Sequence, residues 1–155
     1  MVSDWGWDIK VKEALQNYLD LAGVYEGSPS NLLVKLNLLK AEDINYVDTA
    51  TDSDGFVKSN IKYSEYKEAM LNYVSESLFN ERFTALYKEK AGYLYYHNGG
   101  GTGRKIKVES IGKYSDGLYN ATVYNIGVDG DKSDTYNIKF NVETYNEKYV
   151  ISYYK

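Results

Sequence analysis

The chain has 155 residues, 43% of them apolar, and no cysteine. That fits one globular domain spanning 1–155, and it excludes disulfides, thiolate catalysis and cysteine-based zinc sites. A net charge of −4 argues against a nucleic-acid partner, whose binding rests on Lys and Arg neutralising phosphates, and against an anionic membrane surface.

The start "MVSDWGWDIK" has no basic region followed by an apolar one. It reads either as a cytosolic start or as the first residues left after removal of an export signal. No run approaches the ~18 apolar residues of a membrane span. Trp5 and Trp7 are expected to fasten the terminus to the core, because aromatic burial is favourable. Val11, Leu15, Tyr18 and Ala22 recur at helical spacing and predict a helix over Asp8 to Ala22, with Gly23 as its stop. Ser28-Pro29 opens a second helix, with Ser28 as N-cap and Leu32, Leu33, Leu36 and Leu39 as its apolar face.

"INYVDTATDSDGFVKSN" predicts two short strands around an Asp54-Gly55 turn. Ser64 is the expected cap of a third helix, whose stripe is Tyr66, Met70, Tyr73, Val74 and Leu78. Asn80 is the expected cap of a further helical turn carrying Phe83, Leu86 and Tyr87. From Gly92 onward the segments alternate at period two. Tyr136, Ile138, Phe140 and Val142 share one face, and Asn137, Lys139 and Asn141 the other. Connections rich in Asp, Gly and Asn suit hairpins. The whole therefore reads as α+β: residues 1–90 mainly helical with a short hairpin, residues 91–155 an antiparallel meander, and the helices packed on the sheet.

"YLYYHNGGGTGRK" is the stretch most suggestive of chemistry. A phosphate-binding P-loop starting at Asn98 would place Gly103 correctly, but Arg104 and Lys105 stand where Lys and Ser/Thr are needed. The dinucleotide pattern would need glycine at Arg104, and a strand comes next where a helix is required. The stretch reads instead as a hairpin, entered by Tyr93 to Tyr96 and left by Ile106 and Val108, with successive glycines permitting the turn. His97, the single histidine, has no GxSxG nucleophile elbow to serve and reads as a strand-end residue facing solvent. Two acidic clusters, Asp48/Asp52/Asp54 and Asp129/Asp131/Asp134, fail the EF-hand frame: the twelfth positions are Ile61 and Phe140. They read as solvated turns. Glu42, Asp43, Glu109 and Glu143 are available as paired carboxylates, but nothing in their spacing marks them. No metal or cofactor is expected. The 18 Tyr against 4 Phe, rising together with Asn, Lys and Ile, read as the bias of an AT-rich genome in preference to a dedicated aromatic surface.

The stretch "IKYSEYKEAMLNYVSESLFNERFTALY", followed by "GYLYYHNGGGTGRKIKVESI" and a final "EKYVISYY", resembles secreted NTF2-like (cystatin-like) α+β domains of Gram-positive bacteria. The group it resembles most is the secreted DL-endopeptidase inhibitor (IseA-like) family, which restrains cell-wall hydrolases. The resemblance covers about residues 40 to 155. It implies helices on a curved sheet, an extracytoplasmic location and a non-catalytic protein that binds another protein or a cell-wall component. No inhibitory residue carries over. The acidic "DGDKSD" turn would meet a basic cleft on a hydrolase. The expected partner-binding residues are Tyr96, His97, Arg104 and Lys105 at the rim and Asp129, Asp131 and Asp134 in that turn. The alternative is an NTF2-like small-molecule-binding domain or enzyme with a pocket between helix and sheet. The inner strand positions, which add Tyr149, Ile151 and Tyr153 to the four above, carry no acid or base for it.

Overall fold

The computed structural model describes residues 2–40, 42, 55–97, 103–113, 118–127 and 129–155, with side chains from residue 9 onward. The first strand expected before Gly55, the aspartates at 48, 52 and 54, the glycines at 99–101 and the side chains of Trp5 and Trp7 lie outside the described residues. The architecture is α+β, with four helices and two antiparallel sheets.

Helix α1 runs Val2–Gly27, longer at both ends than the sequence predicts. Val11, Leu15, Tyr18, Leu19, Leu21 and Tyr25 are buried along it. Gly23 does not stop this helix; it lies within it because a second piece of backbone passes there. A Cβ on Gly23 would lie 2.2 Å from the carbonyl oxygen of Arg104, and one on Gly103 only 1.6 Å from that of Gly23. Two glycines are what let helix and strand entry touch main chain to main chain.

Ser28 separates α1 from α2 (Pro29–Lys35), and its hydroxyl accepts from the Asn31 amide as an N-cap should. Helix α3 (Tyr63–Met70) has Lys62 at the cap position and no side-chain cap, so Ser64 sits inside the first turn. Its Tyr66 and Met70 are fully buried, as is Val74 beyond it. Helix α4 (Glu76–Arg82) is capped by Ser75, whose hydroxyl accepts from the Leu78 amide. Asn80 is thus a mid-helix residue. Lys67 and Glu76 tie α3 to α4 across 2.5 Å.

Sheet A has strand order β1-β3-β2, from β1 (Phe56–Lys62), β2 (Tyr87–Lys90) and β3 (Tyr93–His97). Sheet B is the expected meander, β4 (Lys105–Lys113), β5 (Tyr119–Ile126), β6 (Lys132–Tyr145) and β7 (Lys148–Tyr154) in sequential order. The predicted hairpin across the glycine loop does not form. The turn that does form is Ala91-Gly92, with φ of 52° and 85° and Lys90 paired to Tyr93, the two-residue primed turn that right-handed strand twist favours. Strand β3 then has β2 on one edge and β1 on the other, so no edge is left for β4. Of the further helical turn expected from Asn80 to Tyr87, only residues 80–82 are helical, as the end of α4; Phe83 is its C-cap and Tyr87 opens strand β2.

The inner face of sheet B carries Ile138, Phe140 and Ile151, as expected. Tyr153, however, is 40% exposed. Asn141 pairs with Tyr153 but Val142 with Ile151, so β7 carries one extra residue, Ser152. This bulge reverses the alternation, leaving Val150 and Ile151 both buried and turning Tyr154 inward, its ring 5.2 Å from that of Tyr18.

Helix α1 meets the outer edge of β4 with two side chains, Lys12 donating to the Glu109 carbonyl at 3.4 Å and Gln16 serving the groups before it. The Gln16 amide donates to the Ile106 carbonyl at 2.9 Å and accepts from the Val108 amide at 2.8 Å. A carboxamide has the donor and acceptor of a peptide unit, so it stands in for the missing neighbour strand. The opposite edge, β7, is closed by Tyr73–Ser75, whose main chain exchanges hydrogen bonds with Ile151.

Candidate functional site

The residues picked out from sequence divide between the two sheets. Tyr96 is 2% exposed, lying between Val57 and Tyr87 in sheet A, and is a core residue. His97 is exposed at the end of β3, with Phe56 standing edge-on to its ring at 5.5 Å. Arg104, Lys105 and the three aspartates collect at one end of sheet B. Lys105 opens β4 opposite Ile126, and Ile126 in turn lies opposite Lys132.

The β5–β6 turn is held by its own main chain: Gly127 donates to Asp131 and Gly130 to Gly127, both at 2.9 Å. Gly130 has φ +82°, a conformation open to glycine at no steric cost. Asp129, Asp131 and Asp134 are all exposed. The cation in their midst is drawn elsewhere. Lys132 donates to Glu109 at 2.5 Å and lies 4.6 Å from the Tyr124 ring centroid. Its pKa is raised, chiefly by the hydrogen bond to Glu109. The turn therefore presents carboxylates outward on a braced hairpin.

A second site, not foreseen from sequence, lies where α1 crosses the ends of β4 and β7. It is a cleft of about 220 Å³ lined by Tyr18, Glu26, Arg82, Arg104 and Tyr154 among others. Arg104 forks onto Glu26 at 2.9 and 3.1 Å. Arg82 donates to the Tyr154 carbonyl at 3.1 Å and packs 5.4 Å from its ring. Burial pushes the Tyr18 phenol up to about 12, partly offset by Arg82, so it remains a proton donor at neutral pH. The sequence signal was present in Glu26 and Tyr18, two turns apart on one helix face. Nothing in the order of residues brings Arg82, Arg104 and Tyr154 to them. A larger open groove, about 700 Å³, runs between α1, the end of α3 and the β6–β7 hairpin, past Glu13, Asn17, Asn72, Tyr73 and Tyr149.

Among the described residues no helix is long and apolar enough to cross a membrane, and no group of three or more His, Cys, Asp or Glu is placed to hold a metal ion. Comparison with known proteins returns no matching family model and no matching curated relative.

Proposed function

We propose that this chain is an extracytoplasmic, non-catalytic binding protein that modulates a cell-wall hydrolase, with the β5–β6 turn as its docking element. The observation that carries this reading is the display of three exposed carboxylates at one end of a paired hairpin, Asp129 and Asp131 in its turn and Asp134 at the irregularity of β6 beside it. Such a display fits a concave cationic surface, where opposite potentials raise the association rate and select the partner. Lys105, opposite Ile126, stands nearby on β4, whereas Arg104 is paired with Glu26. The choice of a hydrolase as partner, and the placement outside the cytoplasm, rest on the resemblance to the secreted DL-endopeptidase inhibitors.

The test is binding and inhibition of a panel of purified cell-wall endopeptidases. The expected result is inhibition that weakens at least tenfold in D129N/D131N/D134N and falls with salt. Unchanged inhibition by that variant would remove the turn from the interface, and failure to bind any member of the panel would remove the hydrolase.

The cleft between α1 and sheet B favours a second reading, an NTF2-like small-molecule-binding domain. Two guanidinium groups against one carboxylate leave a net positive charge beside the phenols of Tyr18, Tyr25 and Tyr154, an arrangement suited to a small organic acid. A thermal-shift screen of carboxylates, with Arg82→Gln abolishing the response, distinguishes this reading from the first.

A further inference from the structure

Four elements converge on the open groove of about 700 Å³ beside α1. Helix α1 gives Lys10, Glu13, Ala14 and Asn17, which recur at the spacing of one helix face and span roughly 10 Å along its axis. The end of α2 gives Asn37, whose φ of 62° is the left-handed conformation that asparagine tolerates just past a helix. The end of α3 gives Asn72 and Tyr73. The β6–β7 hairpin gives Tyr149, opposite Thr144 across the ladder.

The polar groups of this groove are uncommitted. Asn17 and Asn37 are exposed, and their amides make no hydrogen bond among the described residues. Asn72 Nδ2 donates to the carbonyls of Ala69 and Glu68 at 3.3 and 3.4 Å, which holds the amide and leaves Oδ1 to accept. Tyr73 is anchored by its main chain, its carbonyl accepting from the Ile151 amide at 3.0 Å. Its ring and that of Tyr149 are half-buried. Charges of both signs edge the groove, Glu13 and Glu147 among Lys10, Lys35 and Lys148. Glu147 stands at φ 64° in the two-residue turn between Tyr145 and Lys148, where glycine is the unstrained choice. A side chain is kept at that wall at a conformational cost.

We infer that this groove binds a short, uncharged oligosaccharide. Sugar hydroxyls donate and accept, as carboxamides do, and the C–H faces of sugar rings pack on tyrosine rings whose hydroxyls stay wet. Charges of mixed sign suit a neutral ligand; a polyanion needs a wall of one sign. A peptide fits less well. Strand addition needs an open sheet edge, and that of β7 is closed by Tyr73–Ser75. Helix docking needs an apolar groove, and here Ala14, Leu36 and Ala69 are the apolar lining besides the tyrosines. The groove shares no residue with the β5–β6 turn or with the cleft of Arg82 and Arg104, so any of the three can fail while the others stand.

The experiment is isothermal titration calorimetry of the full chain with linear tetrasaccharides of glucose and of N-acetylglucosamine. A sulfated tetrasaccharide and a proline-rich peptide are the comparison probes. At least one neutral tetrasaccharide is expected to bind, with an affinity that changes less than twofold between low and physiological salt. N17A/N37G, in which glycine keeps the left-handed φ, is expected to weaken it at least tenfold with an unchanged melting temperature. Glu147→Gly is expected to raise the melting temperature and yet weaken binding at least threefold. D129N/D131N/D134N and Arg82→Gln leave it unchanged. The inference is overturned if neither neutral sugar binds, if N17A/N37G or Glu147→Gly binds as the parent does, or if the sulfated sugar or the peptide binds more tightly.

Discussion

Tyr25, Tyr66 and Tyr87 each join a buried ring to a main-chain group that regular structure leaves unserved. Tyr66 Oη donates to the Phe83 carbonyl at 2.8 Å, Tyr87 Oη to the Pro29 carbonyl at 2.5 Å, and Tyr25 Oη accepts from the Leu86 amide at 2.9 Å. Their rings form one cluster, with Tyr66 and Tyr87 only 4.4 Å apart. Phenylalanine fills the same space but leaves those groups unpaired in the core. Tyr66→Phe should therefore lower unfolding free energy by about 1–3 kcal/mol, read from urea denaturation; a change within error would mean that water reaches the Phe83 carbonyl. The same burial sets an alkaline limit. Desolvation raises the Tyr18 phenol from 10.0 to about 12 and lifts Tyr66 and Tyr87 further. Folded pKa values above the unfolded one mean that this stability is fully present below pH 10 and is lost as pH rises beyond it, because the unfolded chain releases protons that the folded chain holds. The melting temperature should be level to about pH 9.5 and fall steeply from 10 to 12. A level profile to pH 12 would refute it. Composition alone reads the tyrosine excess as genome bias, and which rings are buried depends on contacts between residues far apart in the chain.

Elements set by local pattern were legible, and elements set by distant partners were not. The apolar stripe of α1 and the Ser28-Pro29 junction follow from spacing and capping chemistry over a few residues. So does the meander of sheet B, whose strands pair with their sequence neighbours. Sheet A was missed because β1 pairs with β3 across α3, α4 and β2, a separation that no local rule reports. The same limit hid the cleft beside α1: the neighbouring aspartates 129, 131 and 134 could be read together, whereas Arg82, Arg104 and Tyr154 meet Glu26 only once distant elements are placed side by side. Gly23 shows the two levels in conflict. Helix propensity alone predicts that Gly23→Ala stabilises α1 by roughly 0.5–1 kcal/mol. The Arg104 carbonyl 2.2 Å from the new Cβ predicts the opposite, because a main-chain clash must push helix and strand apart. Gly23→Ala is expected to destabilise the protein by more than about 1 kcal/mol, measured by thermal or urea unfolding. A gain in stability would show that the glycine serves only flexibility.

At the scale of the molecule, α1 is the element that both sheets share. Tyr18 meets Tyr154 of sheet B, and Tyr25 meets Tyr87 of sheet A. The two sheets thus hang on one aromatic spine. The Gln16 clamp has a further consequence, for the chain's behaviour in a crowd. A nine-residue edge strand is a template on which another copy can grow, and its hydrogen-bonding groups at Ile106 and Val108 are kept from that use by one carboxamide. Gln16→Leu would leave the helix and its apolar contacts in place while uncovering the template. It should yield concentration-dependent assembly, visible as a rising sedimentation coefficient and thioflavin fluorescence, with little change in helix content; a variant that stays dispersed would show the edge to be protected by other means. In that sense a side chain with no role in chemistry or recognition acts as a brake on polymerisation.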